Sequence, residues 1–143
     1  MHTILLVEDS KFLRIATERS LMRAGYTVIS ASDGDEALLI AAAGRPDLIV
    51  LDMMLPKLSG PEVLRFLKKD VRTADIPVIV CSGLSQKNEA KLRSEGAIAF
   101  LEKSFLLDSP DQLLTIIKTA LQSAAPRKAG PVEGRSSSPR SVR

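Results

Sequence analysis

The sequence predicts an α/β domain built on a doubly wound parallel sheet, and three observations carry that prediction. Five short apolar, β-branched runs alternate with five segments of helical spacing along the chain. The runs are too continuously apolar to show one face to water, so each strand must be covered on both sides. At 143 residues the chain has one domain's length, enough to bury a sizeable core.

The first strand is "TILLV" (3–7), followed by a helical segment from about Ser10 to Ala24 that stops at Gly25, a natural left-handed cap. The second is "TVISA" (27–31), and its helix begins near Ser32–Asp33 and stops at Gly44. The third is "DLIVLD" (47–52), after which Pro56 forbids further regular structure. A third helix opens with "SGPE", where Ser59 and Glu62 have capping-box spacing and Pro61 sits in the first turn. The fourth strand, "PVIVC" (77–81), leads to a helix that follows Ser85 and ends before Gly96. The fifth, "AIAFL" (97–101), precedes a helix that opens with "SPDQ", repeats the capping-box spacing at Ser109 and Gln112, and continues to about Ser123. Right-handed crossovers leave few ways to arrange five such units.

Composition excludes several classes. Hydrophobic residues make up 45% of the chain but aromatics only 3%, so the core must be aliphatic. No apolar run approaches the roughly 18 residues of a membrane span, and the N-terminal "MHTILLVEDS" lacks the basic start of a signal peptide. One cysteine, Cys81, excludes a disulfide framework and suits a buried, reduced thiol in a cytoplasmic protein. The basic pI of about 9.2 comes from the end of the chain. Residues 124–143 carry five basic side chains against Glu133, a net +4, whereas residues 1–123 carry 15 bases and 16 acids, a net −1. The chain therefore divides into a domain over 1–123 and a basic tail or linker over 124–143. That tail is rich in Pro, Gly and Ser and too poor in apolar residues to hold structure. With no aromatic interleaving and no recognition-helix pattern, residues 1–123 are not expected to bind nucleic acid directly.

In open doubly wound sheets, ligands sit beyond the carboxyl ends of the strands. Chemistry gathers there in this chain. The first strand ends in Glu8–Asp9, the third in Asp52, the fourth in Ser82–Gly83, and the fifth is followed by Lys103. Taken singly, Asp52 and Ser82 suit turns, Glu8 and Asp9 suit a helix cap with Ser10, and Lys103 suits a surface cation. Together they do not. Carboxylates held close resist ionising unless a cation joins them, and an oxygen-only set suits Mg²⁺ or Mn²⁺. A metal and a lysine imply an anionic partner, most simply a phosphoryl group, and Asp is a known covalent acceptor of one. His2, the only histidine, lies outside this set.

The segments "ILLVEDS", "DLIVLDMMLPKLSG", "IPVIVCSG" and "AFLEKSF", in this order, resemble the receiver domain of two-component response regulators, the CheY-like family, over about residues 2–123. The resemblance implies a flavodoxin-like sheet of strand order 2-1-3-4-5 and a phosphorylated Asp52. It also implies Mg²⁺ (or Mn²⁺) held by Asp9, Asp52 and the Met54 backbone carbonyl, with Glu8 acting through water. Ser82 matches the hydroxyl that binds a phosphoryl oxygen, Lys103 the lysine that pairs with the phosphate, and Phe100 the aromatic switch residue. Gly83, lacking a side chain, leaves the site open. The implied partners are a sensor histidine kinase or phosphotransfer protein that donates the group, and a protein target read through the fourth helix, fifth strand and fifth helix. Two departures stand out: Ser104 follows Lys103 where the family usually has proline, and the segment before the last helix is about three residues longer. A catalytically silent scaffold is the competing class. A flavodoxin-like cofactor binder is another, but it needs a phosphate-cradling loop where this chain has two acids. With no output domain after residue 123, the expectation is either a stand-alone receiver or the receiver portion of a longer regulator.

Overall fold

A computed structural model describes residues 2–83 and 89–123. The strands are β1 (Thr3–Val7), β2 (Thr27–Ala31), β3 (Leu48–Asp52), β4 (Val78–Ser82) and β5 (Ala97–Glu102). The helices are α1 (Lys11–Arg23), α2 (Gly34–Gly44), α3 (Gly60–Lys69), α4 (Glu89–Ser94), α5 (Phe105–Asp108) and α6 (Pro110–Ser123). All five strands are parallel in one sheet of order β2-β1-β3-β4-β5. Both the class and the order agree with the sequence reading, and strand limits differ from it by one residue at most.

Alternation along the strands divides the core in two, because successive side chains leave opposite faces of a sheet. Leu5, Val7, Ile49, Leu51, Val78 and Val80 point to one side, where Ala37 and Ala41 of α2, Val63, Leu64 and Leu67 of α3 and Leu92 of α4 cover them. Ile4, Leu6, Leu48, Val50, Ile79 and Cys81 point to the other, beneath Leu21 of α1, Leu106 of α5 and Leu113, Ile117 and Ala120 of α6. A fully buried Leu or Ile contributes roughly 1.5–3 kcal/mol, so the two layers hold the sheet from both sides and leave its carboxyl edge to carry chemistry.

The helix ends follow the local signals in most places. Ser59 and Glu62 form the expected capping box of α3, and Asp33 caps α2 by accepting from the Glu36 amide at 2.8 Å. Gly25 takes φ 98° after α1, a conformation that costs glycine little. Three details differ. Helix α2 ends at Gly44 as read, but the left-handed position falls one residue later, on Arg45 at φ 46°. The Ser109–Gln112 link is backbone to backbone, the Gln112 amide donating to the Ser109 carbonyl at 3.0 Å. The longer segment after Lys103 winds into the separate turn α5, which buries Leu106 against α1 and α6. No cis peptide occurs among the described residues, so Lys103–Ser104 is trans. The start of the fourth helix near Ser85, Leu84 and the tail 124–143 lie outside the described residues.

Candidate functional site at the strand ends

Each candidate residue reaches the site because a parallel strand stops beneath it. β1 and β3 are neighbours, so Glu8 and Asp9, following Val7, emerge beside Asp52. β3 and β4 pair Asp52 with Cys81, which brings Ser82 next to the same edge. β4 and β5 pair Ser82 with Glu102, and the Lys103 amide donates to the Ser82 carbonyl at 2.7 Å. Three strand pairings thus assemble residues that are up to 95 positions apart in the chain.

The electrostatic centre is the Lys103 ammonium. It lies 3.0 Å from Asp52 Oδ2 and 3.2 Å from Glu8 Oε2. Both carboxylates are buried, while the Lys103 side chain keeps 19% exposure. Backbone donors complete the arrangement: the Met54 amide donates to Asp52 Oδ1 at 3.2 Å and the Ser10 amide to Glu8 Oε2 at 3.0 Å. Arg14 Nη1 donates to the Glu8 carbonyl at 3.0 Å, fastening the loop that presents the acids. Behind Asp52, Gly60 packs so closely that a Cβ there would lie 2.6 Å from the Asp52 carbonyl oxygen and 2.5 Å from the Met53 Cα.

These surroundings move protonation equilibria. Burial raises the Glu8 pKa, and the Asp52 charge adds to the rise, while the Ser10 amide and Lys103 oppose it. For Lys103, burial alone disfavours the ammonium, but its hydrogen bond to Asp52 and the charges of Asp52 and Glu8 outweigh that and raise its pKa. The Cys81 thiol, buried beneath the acids, is pushed up to about 12 by burial first and by Asp52 and Glu8 next. It is a core side chain, not a nucleophile.

One oxygen each from Glu8, Asp9 and Asp52 lie within 4.8 Å of one another, with Asp9 exposed at the mouth. A hard-oxygen set of this spacing, open to water on one side, fits a small divalent cation such as Mg²⁺. Met54, two residues after Asp52, is 63% exposed. Ser82 is buried at the end of β4. Phe100 stands apart from the charged cluster: it is half-buried on β5, opposite Val80, against the core layer under α2, α3 and α4. A side chain added at Gly83 would meet nothing within 4 Å, so packing does not demand glycine there. Sequence reasoning missed the supporting residues Arg14 and Gly60, and placed Ser10 only at a helix cap, not as the amide that donates to Glu8. The signal for the Met54 amide was present, since an Asp at a strand end commonly accepts from the amide two residues on.

Comparison with known proteins agrees with this geometry. The family described as the response regulator receiver domain matches residues 4–118. The probable transcriptional regulator ycf27 of Porphyridium aerugineum is 38% identical over 120 residues, which are 83% of this chain and 48% of that protein. The phosphate regulon transcriptional regulatory protein PhoB of Pseudomonas aeruginosa is 35% identical over 125 residues, 87% of this chain and 53% of that one. The chain therefore spans about half the length of the curated relatives it matches. Among solved structures, the receiver domain of the Francisella response regulator 1452 superposes with a TM-score of 0.78 at 28% identity, covering 85% of this chain and 98% of that domain.

Proposed function

The chain belongs to the response regulator receiver family, and from that membership we propose that Asp52 accepts a phosphoryl group from a sensor histidine kinase or phosphotransfer protein. The observation that carries this reading is a buried Asp52 held by Lys103 at 3.0 Å inside a three-carboxylate cluster. An unreactive scaffold has no need to bury two acids against one ammonium with a third acid beside them, because such a cluster stabilises little.

In the reaction an Asp52 carboxylate oxygen attacks phosphorus in line. The bond from phosphorus to the donor's imidazole nitrogen breaks, its electron pair stays on that nitrogen, and an acyl phosphate forms on Asp52. Lys103 exchanges part of its contact with the carboxylate for a phosphoryl oxygen, and the Ser82 hydroxyl donates to another. Asp9, Asp52 and the Met54 carbonyl would hold Mg²⁺, with Glu8 acting through water; when bound, the ion supplies neutralising charge for the phosphoryl oxygens. Drawing Ser82 inward vacates space that Phe100 can fill, so the surface of α4, β5 and α6 reports the modification. Both arrangements pre-exist and phosphorylation shifts their populations.

A kinase of this kind places the reaction in the cytoplasm, and among the described residues no helix is long and apolar enough to cross a membrane. Because the relatives are transcriptional regulators about twice as long, a second reading takes this chain as the receiver portion of a longer regulator. Contact with nucleic acid would then fall outside the nearly neutral residues 1–123. The test is labelling by a small phosphodonor such as acetyl phosphate in Mg²⁺. Wild type should be labelled, whereas Asp52→Asn should fold and remain unlabelled, and EDTA should block the reaction. Full labelling of Asp52→Asn would move the nucleophile elsewhere.

A further inference from the structure

Helix α2 is unusual for a surface helix. From Ala37 to Gly44 it reads "ALLIAAAG", without one charged or hydrogen-bonding side chain. Ala37 and Ala41 form its buried stripe over the sheet, with Leu38 and Ile40 partly buried beside them. A helix that is apolar all round is normally covered all round, yet Leu39 is 73% exposed. Beside it on α3, Phe66 is 52% exposed, and Val71 in the following loop is 90% exposed. Between the two helices runs a groove of about 490 Å³ lined by Leu38, Leu39, Ala42, Phe66 and Lys69 among others. Exposed apolar side chains gathered along a groove whose far end is lined by Lys69, Asp70, Arg72 and Thr73 suit an interaction site, apolar at the centre and polar at the rim.

Charge along the groove identifies the occupant. Gly34 of α2 packs against Leu58 and Val63, so α2 and α3 begin side by side at the Asp52 end of the sheet. At that end the first turn of α2 shows Asp35 and Glu36, while Lys57 is paired with Asp33. At the far end stand Lys69, Arg45 and the Asp70–Arg72 pair. The surface is therefore an apolar strip with one net-negative and one net-positive end. The helix dipoles add the opposite sense, positive at the start and negative at the finish. Such a strip complements itself when a second copy lies on it antiparallel: apolar centre meets apolar centre, each acidic end meets the other's basic end, and the dipoles oppose. That is the isologous arrangement of a two-fold dimer.

We propose that the α2–α3 face is a homodimer interface, with Leu39 and Phe66 at its centre and Asp35 opposite Lys69 of the partner copy at its ends. The groove leads away from Asp52, so pairing here leaves the phosphorylation site accessible and does not depend on it.

The experiment is sedimentation velocity of the full chain over roughly 5–500 µM, a range that brackets a weak dimer. Wild type should shift from monomer to dimer across this range. Leu39→Glu and Phe66→Glu, both at exposed positions and checked for folding by circular dichroism, should each weaken dimerisation at least about tenfold, as loss of a central apolar anchor does. Asp35→Lys alone should weaken it, and Asp35→Lys with Lys69→Glu should restore it. A monomeric wild type at the highest concentration overturns the proposal, including the case in which a helix of another protein fills the groove. A dimer indifferent to both Glu substitutions, or a charge-swapped double variant no better than the single one, overturns it as well.

Discussion

Replacing Lys103 by Met keeps most of the side-chain stem and removes the ammonium. In wild type that ammonium sits 3.0 Å from Asp52 and 3.2 Å from Glu8, two carboxylates that water scarcely reaches. Stranding a buried charge by deleting its partner costs about 3–5 kcal/mol. Lys103 is partly exposed and Met54 and Ser10 still donate to the two acids, so about 2 kcal/mol is the better expectation here. For a domain of this size that lowers the Tm by roughly 8 °C. The pH dependence has a definite sign. Glu8 already titrates above its ordinary value, and losing Lys103 raises it further. A carboxyl with a raised folded-state pKa binds more protons folded than unfolded, so stability falls as pH climbs from the unfolded value through the folded one. The deficit of Lys103→Met should therefore widen as pH rises from 5 to 8. Thermal unfolding of both proteins in EDTA at the two pH values measures it, and adding Mg²⁺ at pH 8 should recover much of the loss by supplying the missing positive charge. Equal Tm values at pH 8, or a deficit that is the same at both pH values, would refute the idea that Lys103 is what offsets the burial of Glu8.

Four further outcomes are expected. Gly60→Ala forces a Cβ to within 2.5 Å of the Met53 Cα, so urea unfolding should show a loss of about 2 kcal/mol, as overpacking does, and labelling of Asp52 should slow. Cys81 should stay unreactive to Ellman's reagent at pH 8 in the native state and react fully in guanidinium, since burial and two nearby carboxylates push its thiol up to about 12. Met54→Asn should shorten the lifetime of the phosphorylated protein at least about threefold, because an amide can orient an attacking water and a thioether cannot; decay after removal of the phosphodonor reads this out, and an unchanged lifetime would clear Met54 of any part in setting it. Leu84, two places after Ser82 as Met54 is after Asp52, is the other residue that the family resemblance puts beside that water, and it lies outside the described residues. A chain ending at Ser123 should unfold within about 1 kcal/mol of the full one, because residues 124–143 offer little apolar surface to bury.

The fold was legible because a parallel sheet covered on both faces leaves an unusually plain record. Its central strands must be apolar at every position, as "LIVL" and "VIVC" are, and they are short and β-branched, whereas the comparably apolar helical run "ALLIAAA" is rich in alanine. The acids were legible for the complementary reason. A carboxylate that closes such a run has to leave the core at the strand's end, and parallel strands all end on the same side. What the sequence could not display is tertiary in origin. That Lys103 joins Glu8 and Asp52 together depends on the order of three strand pairings, not on spacing along the chain. Nor could the left-handed residue after α2 be placed, because Gly44 is the better local choice and Arg45 adopts it only as the chain leaves the helix for β3. The four residues "FLLD" of α5 are too few to show a period.

That short turn bears on how the lysine is held. A flexible side chain makes a precise contact with two acids only if its backbone is fixed on both sides. On the β4 side, the Lys103 amide is tied to the Ser82 carbonyl at 2.7 Å, so the lysine moves with the strand that carries the hydroxyl. On the other side, the Leu106 amide donates to the Lys103 carbonyl at 3.0 Å, and Leu106 itself is buried in the layer formed with α1 and α6. The extra residues that depart from the family pattern thus do not loosen the site: they wind into a turn whose apolar side chain anchors it. The Ser104 hydroxyl, donating to Glu102 at 2.8 Å, steadies the same corner. Ser104 stands where the family usually has proline, and here the constraint on Lys103 comes from hydrogen bonds before and after it and from the burial of Leu106, rather than from a ring.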